Sequence, residues 1–96
     1  MPAIYTTPVF DRWFERLRDR MAAARIQARI DRAESGNLGD WKAVGGGVSE
    51  MRIDYGPGYR VYFVQRGAEA IILLVGGGKA SQASDIERAK ELARRL

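Results

Sequence analysis

The sequence predicts a single α+β domain over residues 1–96, with helices packed on one face of a mostly antiparallel sheet. Ninety-six residues, 46% of them apolar, make one domain with a thin core. Apolar positions recur at helical spacing up to residue 35, alternate from residue 48 onwards, and return to helical spacing near the C-terminus. The predicted order is therefore β-α-α-β-β-β-α, and such separate blocks of helices and strands are typical of α+β folds.

The first third of the chain predicts a short strand followed by a helical hairpin. Residues 3–6 favour a strand, and Thr7 followed by Pro8 is typical of an N-cap with proline in the first turn. Asp19 is a candidate cap for a second helix, which Gly36 would end. A hairpin is favoured over one long helix because a long helix could not fold back over a small sheet.

The middle of the chain predicts a loop and then an antiparallel meander. Residues 36–47 are rich in glycine and are expected to form a loop that includes Trp41. Alternation predicts strands over residues 48–55 and 59–64, joined by a Gly-Pro-Gly turn. Residues 70–75 are apolar on both faces and are expected to form a strand inside the sheet.

The C-terminal segment predicts a loop and a last helix. Gly76-Gly77-Gly78 is expected to open the loop. Ser84 and Glu87 have the S-x-x-E spacing of a capping box, which predicts that the helix begins there.

The absence of cysteine and histidine excludes several kinds of site. Without cysteine there is no disulfide scaffold, thiol nucleophile or thiolate metal site, and without histidine the commonest general base and metal ligand are missing. We therefore expect neither a metal nor a cofactor. The net charge of +4, carried mainly by 13 arginines, favours a polyanionic partner.

The N-terminus shows no export signal, and no apolar run is long enough for a membrane span. The N-terminus lacks a charged segment followed by a long apolar one. The longest apolar run covers residues 70–75, whereas a membrane span needs about 20 residues. We expect a cytoplasmic protein with no membrane partner.

The alternation in the strands predicts that charged side chains share the uncovered face of the sheet. This face carries Glu50, Arg52, Asp54, Arg60 and Tyr62. It is either a solvated face with cross-strand ion pairs of about 0.2–1 kcal/mol each, or a cationic platform for a phosphodiester. On such a platform Tyr62 or Tyr59 would stack on a base.

The glycine run before Lys79 allows two interpretations. It is either a flexible connection or a loop that holds an anion at the start of the last helix. It is not a Walker A motif, because Leu73 and Ala80 stand where glycine and Ser or Thr are required.

Three motifs together resemble the RelE/ParE superfamily of toxins, and most closely its HigB-like branch of phage-derived addiction module killer proteins. They are G-x-L-G-D-W-K-x-x-G-x-G-V-S-E-M-R-I from Gly36, G-P-G-Y-R-V-Y-F from Gly56, and L-L-V-G-G-G-K-A-S-Q-A-S-D-I-E-R-A from Leu73. The resemblance covers nearly the whole chain, and the element order agrees with a RelE-like fold.

The resemblance implies the toxin of a type II toxin–antitoxin module. RelE- and HigB-like members are ribosome-dependent mRNA endoribonucleases that inhibit translation, whereas ParE-like members poison DNA gyrase. A third alternative is a catalytically weak binding module held by its antitoxin. The implied partners are mRNA on the ribosome and a cognate antitoxin, a small helix-turn-helix DNA-binding protein.

The resemblance also implies site residues. Arg52 and Arg60 match the family's basic positions on the sheet and are assigned to the scissile phosphate. Lys79 matches the lysine of the K-x-x-Q motif and is assigned to charge stabilisation or protonation of the leaving group. We expect these three catalytic residues to meet in a single exposed pocket. The candidate substrate-binding residues are Lys42, Glu50, Tyr62 and Gln82.

Two features of this sequence depart from the family pattern. Gly78 stands where the branch commonly has an acidic residue before the lysine, and the C-terminal histidine of some HigB relatives is absent. The general base therefore stays open between Glu50 and Tyr62, both of which would need shifted pKa values to act as bases near neutral pH.

Overall fold

The computed structural model describes all of residues 1–96, which form five strands and three helices. The strands are β1 (Ala3–Thr6), β2 (Trp41–Gly45), β3 (Val48–Ile53), β4 (Tyr59–Arg66) and β5 (Ala70–Gly77). The helices are α1 (Pro8–Glu15), α2 (Arg20–Glu34) and α3 (Gln82–Arg94), the last preceded by a 3-10 turn (Lys79–Ser81). The sheet order is β1-β5-β4-β3-β2, with β1 parallel to β5 and every other pair antiparallel. The predicted α+β class and mostly antiparallel sheet are confirmed.

The predicted division of residues 8–35 into two helices is confirmed, and local caps define both helices. The hydroxyl of Thr7 accepts a hydrogen bond from the amide of Phe10 at the start of α1. The carboxylate of Asp19 accepts from the amides of Met21 and Ala22 at the start of α2. Both caps satisfy amides that a helix leaves unpaired in its first turn.

The helices cover both faces of the sheet, so the prediction that they share one face is wrong. α1 and α2 bury one face; the buried cluster there consists of Phe10, Ile26, Ile30, Ala33, Met51, Ile53, Val61, Phe63, Ile71 and Leu73. α3 covers the other face; the buried cluster there consists of Val48, Tyr62, Val64, Leu74, Val75 and Ala89. The physical reason is that β5 is apolar on both sides and needs cover on both to remove it from water.

Residues 36–47 are not the continuous loop that their glycine content predicts. Trp41, Lys42 and Ala43 of β2 pair with Met51, Glu50 and Ser49 of β3. The three glycines at positions 45–47 have φ values of 98°, 63° and 79° and make the tight turn between the two strands. β2 is an exposed edge strand, and for this reason it lacks the apolar alternation that reveals a half-buried strand.

The capping box predicted at Ser84 and Glu87 is wrong, because α3 already begins at Gln82. Ser84 lies in the first turn, where its hydroxyl donates to the carbonyl of Ser81. The hydroxyl of Ser81 donates to the carboxylate of Asp85 at 2.6 Å.

Gly76 and Gly77 are predicted to lie in the loop after β5, but they are the last two residues of β5 itself. A Cβ on Gly76 would lie 2.2 Å from the indole of Trp13, and one on Gly77 would lie 1.9 Å from the carboxylate of Asp85. The absence of side chains therefore lets α1 and α3 approach opposite faces of the end of β5.

None of the helices is long and apolar enough to cross a lipid bilayer.

Candidate nucleic-acid site

The strand register places the candidate residues in two rows on the face that α3 covers. Glu50 lies between Lys42 of β2 and Tyr62 of β4. One row further, Arg52 lies directly opposite Arg60. The Gly-Pro-Gly turn between β3 and β4 sets this register, and it brings two cations side by side.

Glu50 is fully buried at the centre of the first row, with three polar neighbours. Its Oε2 accepts a hydrogen bond from Nε2 of Gln82 at 3.1 Å and lies 3.7 Å from Nε of Arg60. Its Oε1 lies 4.0 Å from Nζ of Lys42. The structure therefore brings Lys42, Glu50, Arg60 and Gln82 together around one carboxylate.

Arg60 connects this carboxylate to Lys79. Its side chain is only 12% exposed, and its Nη1 donates to the carbonyl of Gly58 at 2.7 Å. A Cβ on Gly58 would lie 3.3 Å from that Nη1 and 3.5 Å from Cβ of Lys79. The amide of Lys79 also donates to the carbonyl of Pro57 at 3.2 Å. The turn before β4 therefore holds the backbone and Cβ of the exposed Lys79 near the guanidinium of Arg60.

Arg52 is more exposed and has a carboxylate partner that sequence reasoning missed. Its Nη2 donates to Oδ1 of Asp40 at 2.9 Å, and this hydrogen bond raises the pKa of Arg52. Asp40 precedes β2, and an acidic residue next to the motif's tryptophan was the only signal for it in the sequence.

Arg29 of α2 is a second residue that sequence reasoning missed. Its guanidinium is buried and donates to the backbone carbonyls of Arg52, Leu38 and Asp40. Burial lowers the pKa of Arg29. Because this one side chain ties α2 to the segment before β2, it fixes the position of Asp40 opposite Arg52.

Tyr62 is buried beneath α3, so its predicted place on an open face, and stacking of its ring on a base, are wrong. Its Oη has no hydrogen-bond partner in the protein. Burial, followed by the charges of Glu50 and Asp85, raises the pKa of Tyr62 to about 12. Tyr62 therefore stays protonated near neutral pH and does not serve as a general base there.

Glu50 was also predicted on the open face, and its burial corrects that expectation. Its carboxylate is enclosed by the side chains of Gln82 and Arg60, so it supports those groups from below. Tyr59, the other candidate for base stacking, is half-buried and packs against the ring of Trp13 with the centroids 6.1 Å apart.

The expected nucleotide-sized pocket is not among the five main surface cavities. None of the five main surface cavities is lined by Arg52, Arg60 or Lys79. The three residues instead lie along one edge of the molecule, around the Gly-Pro-Gly turn. No cluster of three or more acidic side chains is arranged to hold a metal ion. Such an edge can contact an extended strand or a larger surface.

A curated protein of Haemophilus influenzae strain Rd matches this chain over almost its full length. It is described as an uncharacterized protein, and it is 48% identical over 93 residues, which are 97% of this chain and 94% of the relative. The two proteins belong to one family. Members of this family share the whole fold rather than a single motif, because the alignment spans nearly all of both chains. No protein-family model matches the chain.

Proposed function

We propose that the chain is the toxin of a type II toxin–antitoxin module with a RelE-like fold of the HigB-like branch, and that it cleaves mRNA on the ribosome. The observation that carries the proposal is the meeting of Arg60 and Lys79 on either side of Gly58, with Arg52 opposite Arg60. Three cations on one edge suit a phosphodiester, because arginine binds phosphate through two parallel hydrogen bonds. The three motifs that resemble this family contain these same residues.

In the proposed reaction the 2′-oxygen of the RNA attacks the adjacent phosphorus. The P–O2′ bond forms as the P–O5′ bond breaks, which gives a 2′,3′-cyclic phosphate and a 5′-hydroxyl end. Arg52 and Arg60 stabilise the negative charge that develops on the phosphate oxygens. The ammonium of Lys79 donates a proton to the departing O5′. The proton of the 2′-hydroxyl passes to water, since Tyr62 stays protonated and Glu50 is enclosed.

Glu50 and Gln82 are positioning residues in this proposal. Glu50 lies 3.7 Å from Nε of Arg60, and Gln82 donates to the same carboxylate oxygen. They orient the guanidinium of Arg60, whose side chain is 12% exposed. A protein equipped with fixed charges but without a dedicated base suits an enzyme whose substrate is aligned by the ribosome.

The proposed antitoxin is a small helix-turn-helix protein that binds this chain and offsets its positive charge. The net charge of +4 and the scarcity of ion pairs among its arginines support an anionic partner surface. A gene for such a protein next to that of this chain is expected.

The proposal is tested by inducing the chain without its antitoxin and mapping new RNA 5′ ends across the transcriptome. The wild-type protein is expected to cut mRNAs that are being translated, and Lys79→Ala to reduce cutting about 100-fold or more through loss of the acid. Arg66→Ala, at the opposite end of β4 from Arg60, is the matched control and is expected to cut like the wild type. Arg60→Lys is preferred to Arg60→Ala, because it keeps a cation beside the buried Glu50.

Two outcomes would contradict the nuclease proposal. Double-strand DNA breaks and an SOS response with intact mRNA would identify a gyrase poison. Intact mRNA and intact DNA, with a folded chain that binds the neighbouring gene product, would identify a binding module.

A further inference from the structure

A cleft at the C-terminal end of β5 forms a second cationic surface. It has a volume of about 450 Å³ and lies between α1 and α3. Its lining consists of Val9, Arg12, Trp13, Arg16, Val75, Gly76, Gly77, Gly78, Ser81, Asp85 and Arg88. Arg52 and Arg60, which are assigned to the scissile phosphate, do not line this cleft.

The helical spacing explains why these side chains face one another. Arg12 and Arg16 are four residues apart on α1 and its C-cap, so they project from the same face of the helix. Asp85 and Arg88 are three residues apart on α3 and share a face in the same way. α1 and α3 form the two walls, and the end of β5 forms the floor.

The floor of the cleft is the glycine backbone at the end of β5. β1 pairs with β5 only as far as Leu73, so no strand lies beside the outer edge of Gly76 and Gly77. Trp13 packs over Gly76 and Asp85 packs over Gly77, so the walls of the cleft lie close against this backbone.

The charges around the cleft are not balanced by the protein. The molecule has four ion pairs, and none of them involves Arg12, Arg16 or Arg88. Asp85 is the one acidic residue in the lining, and its Oδ2 accepts a hydrogen bond from Ser81. Three guanidinium groups around one carboxylate repel one another, and a bound anion would relieve that repulsion.

We propose that this cleft binds the sugar–phosphate backbone of the RNA strand beside the cleaved bond. The inference rests on the proposed function for the identity of the ligand. Gly78 lines the cleft and the next residue is Lys79, so a strand bound at Lys79 would lie next to the cleft. Arg12, Arg16 and Arg88 would contact phosphates on either side of the strand.

The composition of the lining favours RNA over an acidic peptide. Only Val9, Trp13 and Val75 of the eleven lining residues are hydrophobic. Protein partners gain most of their affinity by burying aromatic and aliphatic anchors, and this cleft offers little surface for them. Nucleic-acid affinity instead comes largely from phosphate contacts.

The test measures binding of a short, fluorescently labelled 2′-O-methyl RNA, which lacks the nucleophilic hydroxyl, by anisotropy at several salt concentrations. Arg12→Ala/Arg88→Ala removes one arginine from each wall. We expect about tenfold weaker binding of the RNA. We also expect the slope of log K against log salt concentration to be smaller in magnitude by about 1.4, the value for two lost contacts to single-stranded RNA. Arg32→Ala/Arg66→Ala removes two other arginines without ion pairs, far from the cleft, and is expected to bind within about twofold of the wild type.

Equal losses of RNA affinity in the two double variants would overturn the proposed cleft site, because they would show that binding depends only on the net charge of the protein. A poly-glutamate peptide that displaces the labelled RNA as well as unlabelled RNA does would overturn the assignment to RNA. If Lys79-dependent mRNA cleavage is found but the cleft variant binds RNA like its control, the cleft inference fails while the proposed function stands. If the cleft variant alone loses RNA binding but mRNA stays intact in cells, the cleft stands as an RNA site and the nuclease proposal fails.

Discussion

The arrangement of the cationic edge, which consists of Arg52, Arg60 and Lys79, depends on Glu50. A buried charge that loses its partner typically costs a protein about 3–5 kcal/mol, so the carboxylate and Arg60 hold each other in place. Gln82 and Lys42 add further polar contacts from α3 and β2. The position of Arg60 therefore depends on three separate elements that meet at one buried side chain.

Tyr62 gives a prediction at the same scale. Its folded pKa of about 12 lies above the ordinary value of 10.0, so the folded state disfavours its ionisation. The stability that depends on neutral Tyr62 is therefore complete below the pKa of the unfolded chain and is lost as the pH rises from there through the folded pKa. Tyr62→Phe is expected to lose less free energy of unfolding than the wild type between about pH 8 and about pH 11.

Urea unfolding at the two pH values measures this difference, and Tyr5→Phe, which removes an exposed hydroxyl, is the control. Tyr62→Phe should also be at least as stable as the wild type near neutral pH, because the buried Oη has no partner. A loss of more than about 1 kcal/mol at neutral pH would show that the hydroxyl makes a stabilising hydrogen bond.

At the scale of elements, the end of β5 is where α1 and α3 are both attached to the sheet. Trp13 of α1 lies over Gly76 on one face, and Asp85 of α3 lies over Gly77 on the other. The pairing of β4 with β5 is also irregular near this end. Tyr62 pairs with Val75 and Phe63 pairs with Leu73, so Leu74 is an extra residue in β5. The glycine run is therefore a packing requirement.

Gly76→Ala tests this packing. The new methyl group would overlap the indole of Trp13, and we expect a loss of about 1–3 kcal/mol in the free energy of unfolding. Gly78→Ala is the matched control, because its φ is −100° and its Cβ would lie no closer than 3.7 Å to any neighbour. The control is expected to stay within about 0.5 kcal/mol of the wild type in urea unfolding. Equal stabilities for the two variants would mean that Trp13 does not pack on Gly76.

Elements with local signals were predictable from the sequence, and those defined by distant packing were not. Thr7 and Asp19 cap their helices with their own side chains, so the sequence carries that information. β2 forms because it pairs with β3, and nothing in its own glycine-rich stretch indicates a strand. The side of the sheet that α3 chooses depends on β5 being apolar on both faces.

The features of the candidate site also divide into those with a local signal in the sequence and those that depend on distant packing. Alternation predicted that Arg52 and Arg60 share a face of the sheet, and the register set by the turn between β3 and β4 places them directly opposite each other. The enclosure of Glu50 follows from the packing of α3 and was not predictable. Asp40 reaches Arg52 because Arg29 binds the carbonyls around it, and such a bond between distant segments leaves no periodic signal.

At the scale of the whole molecule, two cationic surfaces meet at the junction of Gly78 and Lys79. One is the edge with Arg52, Arg60 and Lys79, and the other is the cleft with Arg12, Arg16 and Arg88. In the proposed account the first performs the reaction and the second holds the flanking strand. The excess of positive charge over the whole chain would also speed encounter with the polyanionic ribosome and mRNA.

The most direct test of the central claim uses purified protein, purified ribosomes and one defined mRNA, with the fragments located by primer extension and their ends analysed chemically. A nuclease of the proposed kind is expected to give cuts that need the ribosome, carry 5′-hydroxyl ends, and disappear with Lys79→Ala but persist with Arg66→Ala. Intact mRNA after incubation with the folded wild-type protein would contradict it, and so would cuts of equal strength from the Lys79→Ala protein.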